Sequence, residues 1–219
     1  MQNDSEMPIK NEWDARYAEQ DHLYGRDANV FIQQIAQTMD ISGNTLGLAE
    51  GEGRNLLYLA DLAQQRQRPF HAELWDYAQV ALDKAQHHAV ERGITLHTHK
   101  VDLTQADWQT NQYDNIICVF GHFDALTRQQ LLQGVRNSLV DGGWFIGEVY
   151  STEQLAYQTG GPRVQAMLYD PIEFLSHFKH DHIQHFFVGE VERFEGQLHH
   201  GLSHVIQFAI QIRKSPVSE

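Results

Sequence analysis

Cysteine, basic side chains and long apolar runs are what this 219-residue chain has least of. Its single cysteine, Cys118, permits no internal disulfide and suits a reducing compartment, so a cytoplasmic location is expected. Lys and Arg number 16 against 29 Asp and Glu, for a formal net charge of −13, and no Lys/Arg cluster exists. Phosphate neutralisation needs such a cluster, so no nucleic-acid partner is expected. An acidic body is also repelled by anionic membrane surfaces, and no apolar stretch approaches the ~20 residues of a spanning helix. The first residues, Met1 to Pro8, are polar and acidic, unlike an ordinary signal peptide. Repeats, low-complexity segments and linkers are missing too. These absences leave one domain over residues 1–219, 42% hydrophobic, with a small molecule as its partner and either a monomer or a homodimer as its form.

What is present centres on Gly47-Leu-Ala-Glu-Gly-Glu-Gly-Arg-Asn55. Before it, Asn44 to Leu48 reads as a short buried strand. After it, Leu56, Leu57, Leu59, Ala60 and Ala63 have amphipathic helical spacing. A small-residue turn between strand and helix lets a ligand approach the backbone and aims the free N–H groups of the helix at it. The order is a nucleotide-type binding signal. A dinucleotide fingerprint would need a third glycine, and Arg54 or Leu56 stands there instead.

Strand and helix patterns then alternate. Glu12 to Tyr17 opens a helix after a tail of residues 1–11, and Phe31, Ile32 and Ile35 mark a second helix. Strands are expected at Phe70–Trp75, Thr95–Val101, Tyr113–Phe120 and Trp144–Tyr150. Helices are expected at Gln79–Glu91, with Val80, Leu82, Ala85 and Ala89 inward, and at Thr127–Leu139, with Asp141–Gly143 as an exit turn. A short helix follows Asp170-Pro171, and strands at His182–Phe194 and Ser203–Arg213 are joined by Glu195–Gly201. This rhythm implies an α/β fold, a mostly parallel sheet flanked by helices.

The run Gly53-Arg-Asn-Leu-Leu-Tyr-Leu-Ala60 resembles the class I S-adenosylmethionine-dependent methyltransferases, close to the tellurite-resistance branch. Trp75-Asp-Tyr-Ala-Gln-Val-Ala-Leu82 is similar to the family's ribose-binding segment, and the resemblance spans residues 12 to 213. It implies a Rossmann-like fold whose last strand is antiparallel, S-adenosylmethionine as cofactor and S-adenosylhomocysteine as product. It also implies an N-terminal lid over residues 12–40, with Tyr17 and Tyr24 facing the cofactor. The resemblance places the cofactor against Ala49, Glu50, Gly51, Gly53, Arg54, Asn55, Asp76 and Tyr77. Asp102 and Leu103 would take the adenine, and Cys118 and Val119 the methionine side. This chain departs from the family at Ala49 and Gly47, where a glycine and often an acid are found.

Methyl transfer needs in-line positioning, desolvation and sometimes removal of a proton. Candidate catalytic residues are His199 and His200 in the last connection, where relatives have His-Arg, and His122 after the fourth strand. The acceptor is open between a thiol, a chalcogen oxyanion and a heterocycle, the missing arginine weighing against the oxyanion. The loop Gln158–Pro162 would shape its pocket. The run His177, His180, His182, His185 crosses from helix to strand, so its rings diverge and no metal site is expected. The reading is an enzyme, a methyltransferase. Its rivals are a silent cofactor-binding protein and, further off, a nicotinamide-dependent oxidoreductase.

Overall fold

The computed structural model describes residues 10–196 and 199–214. Helix α1 (Lys10–Glu19) leads into a turn and α2 (Val30–Thr38), where Asn29 caps the first turn by accepting from Ile32 N and Phe31, Ile32, Ile35 and Ala36 turn inward. Strand β1 (Gly43–Leu48) follows, then α3 (Arg54–Gln65), β2 (Phe70–Asp76), α4 (Gln79–Glu91) and β3 (Leu96–Lys100). Next come β4 (Tyr113–Val119), α5 (Ala125–Ser138) and β5 (Leu139–Tyr150), then α6 (Pro171–His177), β6 (His182–Glu195) and β7 (His199–Gln211). Asp124 and Asp170 cap α5 and α6 by accepting two backbone N–H groups each, and Pro171 supplies the preset first turn.

The seven strands form one sheet in the order β3-β2-β1-β4-β5-β7-β6. All pairs from β3 to β5 are parallel, and β7 runs antiparallel between β5 and β6. The expected parallel sheet with an antiparallel last strand is what forms. The chain reverses its direction of growth between β1 and β4, and the crevice above their carboxyl ends is where an open α/β sheet binds ligands.

Strand β4 shows why its sequence reads as a continuous apolar run. Ile116 and Cys118 join the core cluster on one face with α5 and α6, while Ile117 and Val119 join the cluster on the other face with α2, α3 and α4. The period of two survives, hidden because both faces are buried. Each such side chain contributes roughly 1.5–3 kcal/mol when fully buried. A smaller third cluster, Tyr17, Leu23, Ala78 and Ala81, docks the N-terminal segment on the start of α4.

Some boundaries differ from expectation. Asp141–Gly143 does not leave the sheet; Gly142 N and Gly143 O bond to Ile212, so the turn becomes the start of β5. The final connection is also tighter than Glu195–Gly201, because β6 runs to Glu195 and β7 resumes at His199. Within α4, Ala81 is buried and Val80 is only partly so. Among the described residues no helix is long and apolar enough to cross a membrane.

Candidate active site

At the end of β1 the chain turns through two unusual conformations. Ala49, at φ 51°, occupies the left-handed region that glycine prefers, and Gly53, at φ 73°, ends the turn as the N-cap of α3. Phe120, just past β4, is left-handed as well, at φ 57°. Both strained alanine and phenylalanine backbones sit at the switch point, where the sheet opens a cavity of about 1290 Å³.

The cavity is bordered by Tyr17, Tyr24, Ala49, Glu50, Arg54, Asn55, Asp76, Tyr77, Asp102, Leu103, Val119, His122 and His200. Thus the structure brings together most of the residues singled out from the sequence. Gly51, Gly53 and Cys118 do not border it. Gly51 N donates to Asp76 Oδ2 at 2.9 Å, while the Cys118 thiol is buried and pushed up to about 12 by that burial and by Glu50. His199 enters β7 opposite Glu195, but its side chain lies outside the described residues, as do Gln197 and Leu198.

Each carboxylate of the turn has a different task. Glu50 folds back over Gly47, whose missing side chain leaves the space: a Cβ there would lie 3.0 Å from Glu50 Cγ. Its Oε1 accepts from Asn55 Nδ2 at 3.2 Å, and its Oε2 is buried without a partner. Burial pushes the Glu50 carboxyl up to about 7. Asp76 accepts from Gly51 N and from Ala78 N, both at 2.9 Å, and burial raises its pKa despite those bonds. A carboxylate has about four acceptor sites, so Asp76 keeps acceptor capacity where it borders the cavity. Asp102 caps the turn after β3, accepting from Thr104 N at 3.1 Å and Thr104 Oγ1 at 2.7 Å, at the rim of the same cavity.

Arg54 borders the cavity with its guanidinium already committed. Its guanidinium donates to Asp27 O at 2.9 Å and to Glu195 Oε2 at 2.5 Å. Glu195 and the fully buried Glu148 flank Arg193, so two carboxylates and two guanidiniums form a neutral buried quartet. Burial alone would raise Glu195, but Arg54 and Arg193 outweigh it and hold the pKa low; Glu148 stays raised. Asn29 Nδ2 donates to both Glu148 and Glu195, tying the α2 cap to the quartet.

The other end of the cavity is aromatic. Phe120 stacks on Tyr150 at 4.6 Å between centroids, and His122 stacks on the same tyrosine at 5.5 Å. His122 Nδ1 lies 3.0 Å from Met167 O and must donate to it, while Nε2 accepts from Tyr150 N at 3.4 Å. Both ring nitrogens are engaged, and burial holds the ring neutral with a pKa down to about 4. His200 is exposed at the mouth with its ring edge against Phe194. The segment 158–164 closes this end and is pinned by Gln154, whose Nε2 reaches Thr159 Oγ1 and Gly160 O at 3.1 Å each. Sequence reasoning missed Gln154, which carries no motif and acts only through residues brought to it by the fold. Among the described residues no three His, Cys, Asp or Glu side chains group as a metal site requires.

The strand order, the switch-point cavity and the acidic residue ending β2 define a class I methyltransferase fold. Residues 46–143 match the family described as a methyltransferase domain. A protein solved in work on the conversion of a disulfide bond into a thioacetal group during echinomycin biosynthesis superposes with a TM-score of 0.70 at 15% identity, covering 94% of each chain. TehB from Haemophilus influenzae gives 0.66 at 15% identity over 83% of this chain and 61% of that one. An S-adenosylmethionine-dependent methyltransferase from Aquifex aeolicus gives 0.63 at 14% identity over 91% and 98%. No curated protein sequence matches. The fold of the chain is that of the class I methyltransferases, and its residues 46–143 carry the match to their domain family.

Proposed function

We propose that the protein methylates a small, uncharged or soft nucleophile held in the aromatic end of the cavity, with S-adenosylmethionine bound along the strand ends from Glu50 to Asp102. The observation that carries this reading is the unpartnered, buried Oε2 of Glu50 beside an ordered turn of backbone N–H groups. A bound ammonium group would give that oxygen its missing partner. Asp76 has lone pairs free for ribose hydroxyls, Asp102 and Leu103 border the adenine end, and Tyr17, Tyr24 and Tyr77 supply aromatic cover. When bound, the sulfonium supplies an electrophilic methyl group that leaves with the carbon–sulfur bond pair donated back to sulfur.

The chain's own contribution is positioning and exclusion of water. His122 serves as a positioning residue: with both nitrogens committed, it fixes Tyr150 and the Met167 carbonyl rather than taking a proton. Cys118 and Tyr150 are raised well above neutrality by burial, so neither supplies a base near pH 7. A thiol or heterocyclic nitrogen, which presents its lone pair near neutral pH, suits such a chamber better than an alcohol. His200 at the mouth, with His199 beside it in sequence, is the group placed to pass a released proton to solvent. No arginine of the cavity turn is free to hold an oxyanion, since Arg54 is committed to Glu195.

The test is a calorimetric titration with S-adenosylhomocysteine, with NADH in parallel, followed by turnover against thiols, heterocycles and tellurite. Micromolar binding of the first alone and turnover of a thiol or heterocycle are expected. Binding of NADH instead, or turnover of tellurite only, would overturn the reading.

A further inference from the structure

Both glutamates of the turn at 49–53 border the cavity, but only Glu50 keeps a buried oxygen without a partner. Glu52 is buried, 8% exposed, and both its oxygens are spent on the N-terminal segment. Oε1 accepts from His22 N at 3.0 Å and Oε2 from Leu23 N at 3.0 Å. From α4, Lys84 Nζ donates to Tyr17 O at 2.5 Å and to Gln20 O at 2.9 Å, pairs with Asp21 at 2.7 Å, and lies 3.8 Å from Glu52. The segment 17–23 is therefore gripped from two elements chiefly by its backbone, with the Asp21 carboxylate the one side chain in the grip.

We infer that Glu52 and Lys84 are positioning residues for methyl transfer: they form a latch that holds segment 17–23 down across the cofactor turn. The inference rests on the cofactor site proposed above. The latch fixes where Tyr17 lies. Its hydroxyl sits directly over Gly51, in space that a Cβ on Gly51 would fill, and Tyr17, Tyr24 and His22 all border the cavity. Burial, then the charge of Asp76, raises the Tyr17 pKa, so its hydroxyl stays protonated over the turn. A cofactor lying on that turn is covered by the segment and leaves only when the latch opens.

The choice of residues fits the task. Backbone N–H groups at 22 and 23 are adjacent donors, and one carboxylate can accept from both. A charged acceptor makes each bond stronger than a neutral one. Lys84 offers three donors and takes two carbonyls and one carboxylate. The segment also packs through a small apolar cluster with Ala78 and Ala81 and through His22 stacked on His88, contacts that a side-chain mutation there could weaken without releasing the backbone.

Glu52→Ala removes the acceptor, and Glu52→Gln keeps one oxygen in place. For S-adenosylhomocysteine, Glu52→Ala is expected to bind about tenfold more weakly, chiefly through faster dissociation, and Glu52→Gln to fall between it and wild type. In turnover the cofactor KM should rise by more than kcat falls. In the free protein, trypsin should cut after Arg26 and Arg16, both exposed, faster in Glu52→Ala than in wild type at equal thermal stability. Lys84→Met should move the same readouts in the same direction. Unchanged dissociation and unchanged cleavage in both variants, with wild type binding normally, would overturn the latch alone. Wild type that fails to bind S-adenosylhomocysteine would overturn the cofactor site itself.

Discussion

The two ends of the cavity are held by bonds of very different reach. At the proposed cofactor end, Asp76 bonds the N–H of Ala78, Asp102 that of Thr104 and Glu50 the amide of Asn55, partners two to five residues apart, while the grips of Asp76 on Gly51 and of Glu52 on segment 22–23 reach further. At the aromatic end, the proposed acceptor site, Gln154 bonds His204 N fifty residues away, Thr159 bonds Leu202 O at forty-three and His122 bonds Met167 O at forty-five. Local bonds form whenever the turn forms, whereas long-range ones form only when the sheet has closed. Much of the proposed cofactor end therefore arises from turn chemistry, and the proposed acceptor end is a product of the assembled hairpin and its packing.

Four substitutions probe this contrast. The largest effect is expected at the joint between the ends. Arg193→Ala leaves Glu148 buried without a cation and Glu195 with Arg54 alone, costing about 3–5 kcal/mol of unfolding free energy in urea. Loss of less than about 1 kcal/mol would show that the two ends are not joined through the quartet. Next, Gln154→Ala orphans the Gly160 carbonyl and the His204 N–H, and should destabilise by about 1–3 kcal/mol. Its KM for acceptor should rise while S-adenosylhomocysteine affinity holds. An equal loss of cofactor affinity would erase the distinction between the ends.

Glu50→Gln acts at the cofactor end and carries a sign that pH reveals. Burial holds the folded Glu50 pKa near 7, above its ordinary 4.5, so the fold favours the neutral acid. Wild type thus loses stability as pH rises from the ordinary value through about 7, and the uncharged Gln avoids that loss. Above pH 7 the variant should melt higher, by on the order of 1–3 kcal/mol, yet bind S-adenosylhomocysteine about tenfold more weakly. Wild-type affinity should itself decline below pH 7, where the carboxylate is protonated. The smallest effect is Ala49→Gly, which relieves a left-handed alanine and should stabilise by about 1 kcal/mol without changing the acceptor KM.

How much could be read from the sequence follows the same division. Helix α4 was bounded at Gln79 and Glu91 by its apolar spacing and by Gly93, and β2 was placed with Asp76 at its end, because period and punctuation are local. Glu52 lies in the motif of the turn, but its partners, thirty residues earlier, carry no pattern that announces them. Asp141–Gly143 read as an exit turn because two glycines look alike in a turn and in a strand that bonds across to Ile212. His122 read as a base from its position after β4; only the fold shows that Met167 and Tyr150 use up its nitrogens.

Cys118 has a practical consequence for watching the latch move. It is the chain's one thiol, and its burial within β4, with a pKa near 12, leaves almost no thiolate for a maleimide to find. A cysteine introduced at exposed Glu19 on the last turn of α1 would therefore take a fluorescent dye alone, in the otherwise native protein. The opening and closing of the segment over the cofactor turn could then be followed as a change in light.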